Sequence, residues 1–298
     1  MTLFQSVDGE PVRVRTARSG NLCLFRAGPE RGWPVLLLHS VNAAASAAEV
    51  RPLFELSSTV RPTYALDLPG FGASERSDRP YTPRLMTDAV LDALAEVRRA
   101  THSPRVHVLA VSLACEFVAR AAGEGPPPAS VTLVSPTGFD GSRARDGAIG
   151  STRAVPGMLP LLKTPLVGTS MFSLLRRPAV IRYFLERTWA ERAIDEAVFR
   201  SAVETARASG AHFAPLAFLS GHLFSADTDA LYEALPPPVW LAHGTRGDFT
   251  DYRRADRFVA LPGWSRTIFS TGALPYFQDA TFFPQWQAFL AGAEALLR

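Results

Sequence analysis

One serine stands in a setting suited to nucleophilic chemistry. In Val106-His107-Val108-Leu109-Ala110-Val111-Ser112-Leu113-Ala114-Cys115, an apolar run fit for a buried strand ends on a small residue. A serine follows two positions later, then a second small residue two beyond that, then a helical pattern through Phe117, Val118 and Ala121. A strand that turns sharply into a helix lifts the side chain at the turn above the sheet. Its flanking residues must be small, because the two backbones pass close together there. Ala110 and Ala114 hold those flanks, each adding one methyl to the contact a glycine would make. Ser112 is therefore a candidate nucleophile for acyl transfer, a reaction that also needs a base, an orienting acid and donors for the developing oxyanion.

Stepping outward, the pattern alternates strands and helices at short spacing, which calls for a parallel sheet covered on both faces. Val12 to Ala17 and Asn21 to Arg26 read as antiparallel strands around Ser19-Gly20, and Val35 to Leu38 as a buried central strand. Glu49 to Leu56 reads as a short helix and Thr63 to Leu66 as a strand. Pro83 to Arg98 is an amphipathic helix, with Thr82 as its cap and Pro83 in its first turn. Ser130 to Val134 is the strand that follows the serine and its helix. From about Phe139 to Leu235 strand-like runs disappear, and helices are expected around 165–175, 178–188, 194–208 and 215–224. This predicts a core of residues 1–138 and 236–298 with a helical cap, 139–235, inserted between two core strands. Pro236-Pro237-Pro238 stiffens the return, Val239 to Ala242 and Thr267 to Phe269 complete the sheet, and Thr281 to Leu297 closes the chain as a helix.

Several motifs in this order resemble the α/β-hydrolase fold family over nearly the whole length. Val35-Leu36-Leu37-Leu38-His39-Ser40 is similar to the family's strand ending in His-Gly, and Asp67-Leu68-Pro69-Gly70-Phe71-Gly72-Ala73-Ser74 to its D-x-P-G-x-G-x-S loop. The run Val239 to Asp248 resembles the strand and G-x-x-D turn that carry the catalytic acid, and Ser270 to Gln278 resembles the G-H-x-P-x-x-E segment. The resemblance implies an α/β, mostly parallel, doubly wound sheet. It makes Ser112 the nucleophile and Asp248 the acid, and it builds the oxyanion hole from the backbone amides of Val41 and Leu113. Asp248 also has a plainer reading, as a turn aspartate that satisfies its own backbone.

The expected base is missing. Where the family has its catalytic histidine this chain has Ala273, and Gln278 stands where glutamate is common. Removing such a histidine costs on the order of a million-fold in rate. The six histidines are the candidates to replace it. His102 and His107 lie at the wrong end of the sheet. His39 ends its strand on the right edge, in a position that is structural in the family. His243 ends a core strand a few residues before Asp248 and is the first candidate substitute. His212 and His222 belong to the cap, where His222 could hang over the cavity. Tyr276 lies near the lost position, but a phenol is a poor base at neutral pH. His39, Ser40, Asn42, Ala273 and His222 are expected to line the pocket, with Ser40 replacing a glycine beside the oxyanion hole.

Composition narrows the class. The chain has 298 residues, 47% of them hydrophobic and 20% charged, with a net charge of +3, which is ordinary for a globular protein. No Lys/Arg block is interleaved with aromatics, so nucleic acid is not an expected partner. Cys23 and Cys115 are not in a metal-binding or disulfide spacing, and no metal or cofactor is expected. The residues Met1 to Gly9 lack a basic head and apolar core, and no run reaches the roughly 20 residues of a membrane span. The expectation is a cytoplasmic monomer or homodimer with no membrane partner, holding a small apolar molecule between core and cap. Three functions follow: an ester or lactone hydrolase (an ester-bond hydrolase if active) with a degenerate triad and weak or altered activity; a non-catalytic pseudoenzyme that binds a small molecule; and a cofactor-free lyase in which the serine only donates a hydrogen bond.

Overall fold

The computed structural model describes residues 5–297, so Met1 to Phe4, part of the segment read for a leader, and Arg298 lie outside the described residues. Eight strands form one sheet: β1 (Glu10–Thr16), β2 (Gly20–Ala27), β3 (Val35–Leu38), β4 (Thr63–Asp67), β5 (His107–Val111), β6 (Ser130–Val134), β7 (Val239–Gly244) and β8 (Trp264–Phe269). Their order is β1-β2-β4-β3-β5-β6-β7-β8, antiparallel through β1, β2 and β4 and parallel from β4 onward. Strands β3 to β7 are buried throughout, as a sheet covered on both sides requires.

Alternate residues of each strand feed two cores. Val108 and Ala110 of β5 and Leu241 of β7 pack with α2 (Pro83–Thr101), α3 (Ala114–Glu124) and Phe258. Leu109 and Val111 of β5 and Trp240 of β7 pack on the other face with α1 (Arg51–Ser57) and the closing helix, whose Trp286 is fully buried and donates to Thr132 Oγ1 at 3.1 Å. Thr82 caps α2 as its position suggests, accepting from the Leu85 N–H at 3.2 Å. Thr82→Ala is therefore expected to cost about 1 kcal/mol, read as a lower urea midpoint at unchanged m-value.

Between β6 and β7 the chain runs through six helices: α4 (Met158–Lys163), α5 (Pro165–Leu175), α6 (Pro178–Trp189), α7 (Glu196–Thr205), α8 (Phe213–Leu219) and α9 (Thr228–Glu233). The sequence pattern predicts four of these. It misses α4 and α9, which are six residues each and too short to show a period. It also misses α10 (Ala255–Val259), and it sets α7 and α8 too long. The chain ends in α11 (Phe282–Leu296). Among the described residues no helix is long and apolar enough to cross a membrane.

Candidate active site

The turn after β5 forms as its small flanks predict. Ser112 takes φ 55°, a left-handed conformation that costs a non-glycine residue of order 1–2 kcal/mol. The turn is held by the Ser112 N–H donating to Val134 O at 2.8 Å and by the Cys115 N–H donating to Ser112 O at 3.1 Å. Ala110 and Ala114 are fully buried, and the Cys115 thiol lies 3.2 Å from Ala110 O, directly beneath the bend. Ser112 itself is half-buried. Neither the Leu113 nor the Val41 backbone N–H is taken by a protein acceptor among the described residues, which leaves both able to face an oxyanion.

Val41 sits in a loop held by a buried carboxylate that belongs to no motif in the sequence. Buried Glu49 accepts from the Ser40 N–H at 2.9 Å and from Asn42 Nδ2 at 2.7 Å. Asn42 also donates to Ser40 Oγ at 3.1 Å and accepts from the Ala44 N–H at 2.8 Å. The side chains of Ser40 and Asn42 therefore organise the loop itself. Buried Asp67 supports it from below, accepting from the Ala47 and Ala73 N–H groups at 2.7 Å each. Gly72, at φ 49°, is required there: a Cβ would lie 1.9 Å from the Asp67 carboxyl carbon.

The histidines can be placed one by one. His39 is fully buried and uses both ring nitrogens: Nε2 accepts from the Leu68 N–H at 3.0 Å, so Nδ1 carries the proton and donates to Ser40 O at 2.5 Å. His107 bonds Ser130 Oγ at 2.8 Å and Glu294 at 3.3 Å at the opposite end of β5, and burial lowers its pKa to about 4. His102 caps the C-terminus of α2 in the left-handed conformation, exposed. His212 packs against Phe172 and Phe213. His222 is half-buried and is held through Nδ1 by Ser220 Oγ at 2.8 Å.

His243 is chemically the most apt of the six and is turned elsewhere. Its Nδ1 donates to Gly244 O at 3.0 Å, which leaves the Nε2 lone pair without a partner, and burial lowers the ring's pKa. The ring stacks on Tyr252 at 3.8 Å and lines a cleft of about 540 Å³ with Arg253 and Arg266. It is the penultimate residue of β7, two strands from β5, a separation of roughly 10 Å. Its place in the alternation of β7 puts it on the same face as Leu241, toward α10.

Ala273, Gln278 and Asp248, where the resemblance led us to expect the base, its neighbour and the acid, bind the inserted helices. The Ala273 N–H donates to Thr188 O at 2.8 Å, and its carbonyl accepts from Ser135 Oγ at 2.7 Å. Gln278 accepts from the Gly272 N–H at 2.8 Å and donates to Trp189 O at 3.0 Å and to the Glu191 carboxylate. Asp248 is exposed and engaged by Arg187 of α6, whose guanidinium also donates to Tyr183 OH at 2.8 Å. Among the described residues the Asp248 carboxylate meets no histidine. No motif points to Arg187, and it lies 61 residues before its partner.

A family profile described as the Alpha/beta hydrolase family matches residues 35–285. The chain belongs to the alpha/beta hydrolase family. Solved structures agree on the fold of this family member. Carboxylesterase CesB from Bacillus subtilis superposes with a TM-score of 0.67 at 18% identity, covering 96% of this chain and 92% of that one. A thermophilic esterase from Thermogutta terrifontis gives 0.69 at 16%, covering 95% and 99%. The 2-hydroxy-6-oxo-6-phenylhexa-2,4-dienoate hydrolase of Rhodococcus sp. strain RHA1 gives 0.70 at 18%, covering 95% and 99%. At these identities the likeness is one of fold. No curated protein matches the sequence.

Proposed function

We propose that this alpha/beta hydrolase acts on a small apolar ester or lactone held between the core and a cap formed by the inserted helices. Ser112 attacks the carbonyl carbon, its proton leaves to solvent, and the Leu113 and Val41 amides hold the oxyanion; the alkoxide then leaves and takes a proton from solvent, and water hydrolyses the acyl-serine to the acid. Turnover is weak, because the hydroxyl is not served by an imidazole. What supports this reading is that Ala273 stands where the resemblance expects the base, and that among the described residues none of the six imidazoles is hydrogen-bonded to Ser112. Such a site keeps the oxyanion hole and substrate binding, which together supply a thousand-fold or so over water.

A pseudoenzyme that binds without turnover is the second reading. It is favoured by the engagement of Asp248 with Arg187 and by the Gln278 bonds that tie the C-terminal loop to α6. Fluorophosphonate labelling and hydrolysis of short nitrophenyl esters separate the two. The expected result is slow labelling confined to Ser112, with weak hydrolysis that Ser112→Ala abolishes. Hydrolysis unchanged in Ser112→Ala would remove the serine from the reaction. No labelling and no hydrolysis would leave the binding protein.

A further inference from the structure

The inserted helices carry a surface that the chemistry at Ser112 does not use. Residues 147–185 contain Arg153, Lys163, Arg176, Arg177 and Arg182 and no carboxylate. Lys163 pairs with Asp78 and Arg182 with Glu196. Among the described residues, exposed Arg176 and Arg177 are in no ion pair. Between Lys163 and Arg176, α5 runs its whole length without a charge, a composition that belongs in a core or against lipid.

Yet α5 lies at the surface. Val167 and Leu174, two turns apart on one face, are 38% and 49% exposed, and Leu161 on α4 is 52% exposed. The two helices meet tightly at Gly168, where a Cβ would come within 1.8 Å of Leu162 O, and Phe172 turns inward. Leu161, Val167 and Leu174 are thus displayed by a fixed helix pair, with two unpaired guanidiniums at its end.

We infer that the α4–α5 face docks on an anionic phospholipid bilayer. The leucines and valine enter the headgroup boundary, while Arg176 and Arg177 meet lipid phosphates. Charge decides the occupant. A second copy placed on this face by two-fold symmetry would bring two sets of unpaired guanidiniums together, because the carboxylates at hand, Asp78 and Glu196, are already taken by Lys163 and Arg182. The partner must supply the negative charge. Lying on a membrane needs no spanning segment, so the expectation of no membrane partner, which rested on the lack of such a run, does not bear on this surface.

Co-sedimentation of the full chain with vesicles tests the inference, and the readout is independent of any activity at Ser112. Binding is expected to vesicles of phosphatidylcholine and phosphatidylglycerol in equal parts and not to phosphatidylcholine alone, and it should weaken with salt. The double variant Arg176→Gln/Arg177→Gln should bind about thirty-fold more weakly, from the typical contribution of each cation near such a surface. Leu161→Ser/Leu174→Ser should also lose binding, with thermal melting unchanged in both because the substituted side chains are exposed. Failure of the wild-type chain to sediment with the anionic vesicles would overturn the inference, as would sedimentation of both variants like wild type. A wild-type dimer that Leu161→Ser/Leu174→Ser converts to monomer would assign the face to a second copy instead.

Discussion

Ala273→His is expected to raise kcat/KM for short nitrophenyl esters by about 10²- to 10⁴-fold, the usual contribution of a positioned general base. The argument is geometric. The loop bearing residue 273 is already pinned by Thr188 and Ser135, the bend at Ser112 is formed, and the Leu113 and Val41 amides are unoccupied. On the proposed reading, what the site lacks is a proton acceptor. The gain should be incomplete, because Arg187 occupies the carboxylate that would orient the new imidazole. Adding Arg187→Ala should therefore raise the rate further and bring out a pH inflection near the ordinary histidine range. Adding Ser112→Ala should return it to baseline. A correctly folded Ala273→His protein with no gain would show that the bend and its amides do not form a working site.

The second large effect concerns stability. Glu116 lies on α3, four residues after Ser112, and is fully buried. Its carboxyl accepts from Thr137 Oγ1 at 2.5 Å and from the Ser225 N–H at 2.7 Å, and burial raises its pKa to about 7. A carboxyl whose folded pKa lies above its unfolded value of about 4.5 favours the folded state when protonated. That stability is present in full below about pH 4.5 and is lost as pH rises through about 7, a change of about 3 kcal/mol. His107 acts oppositely in part of the same window, since its depressed pKa makes the fold gain stability as pH rises from about 4. The difference between wild type and Glu116→Gln isolates the carboxyl. Glutamine matches the protonated acid, accepting from Ser225 and donating to Thr137. Urea titrations should show Glu116→Gln overtaking wild type as pH rises through 7. Parallel stability curves for the two proteins would place the ionisation elsewhere.

Much of the frame is legible in the sequence, because its determinants are local. The bend at Ser112 announces itself through Ala110 and Ala114, since a strand and helix that nearly touch leave no room for larger residues. The Asp67 loop does the same through Gly72, which only glycine can occupy beside that carboxylate. Thr82 declares a helix start within three residues of the N–H it caps. What escaped depends on pairs distant in the chain. The capture of Asp248 by Arg187, the Gln278 bonds to the end of α6 and the Glu116 bond to Ser225 each join residues 61 or more apart, and no spacing rule reaches them. His243 shows a further gap. Its position at the end of β7 was legible, but the face its ring takes depends on the strand's alternation and on Tyr252, which stacks over it.

Cys115 sits under the bend with its sulfur against Ala110 O, and both cysteines are buried with their ionisation pushed up, that of Cys23 to about 12. Only thiolates react with aromatic disulfide reagents, so the Cys115 sulfur is unavailable while the strand and helix at the bend remain joined. The chain thereby contains its own clock for opening: the rate at which Cys115 is modified counts how often the ground beneath the serine comes apart.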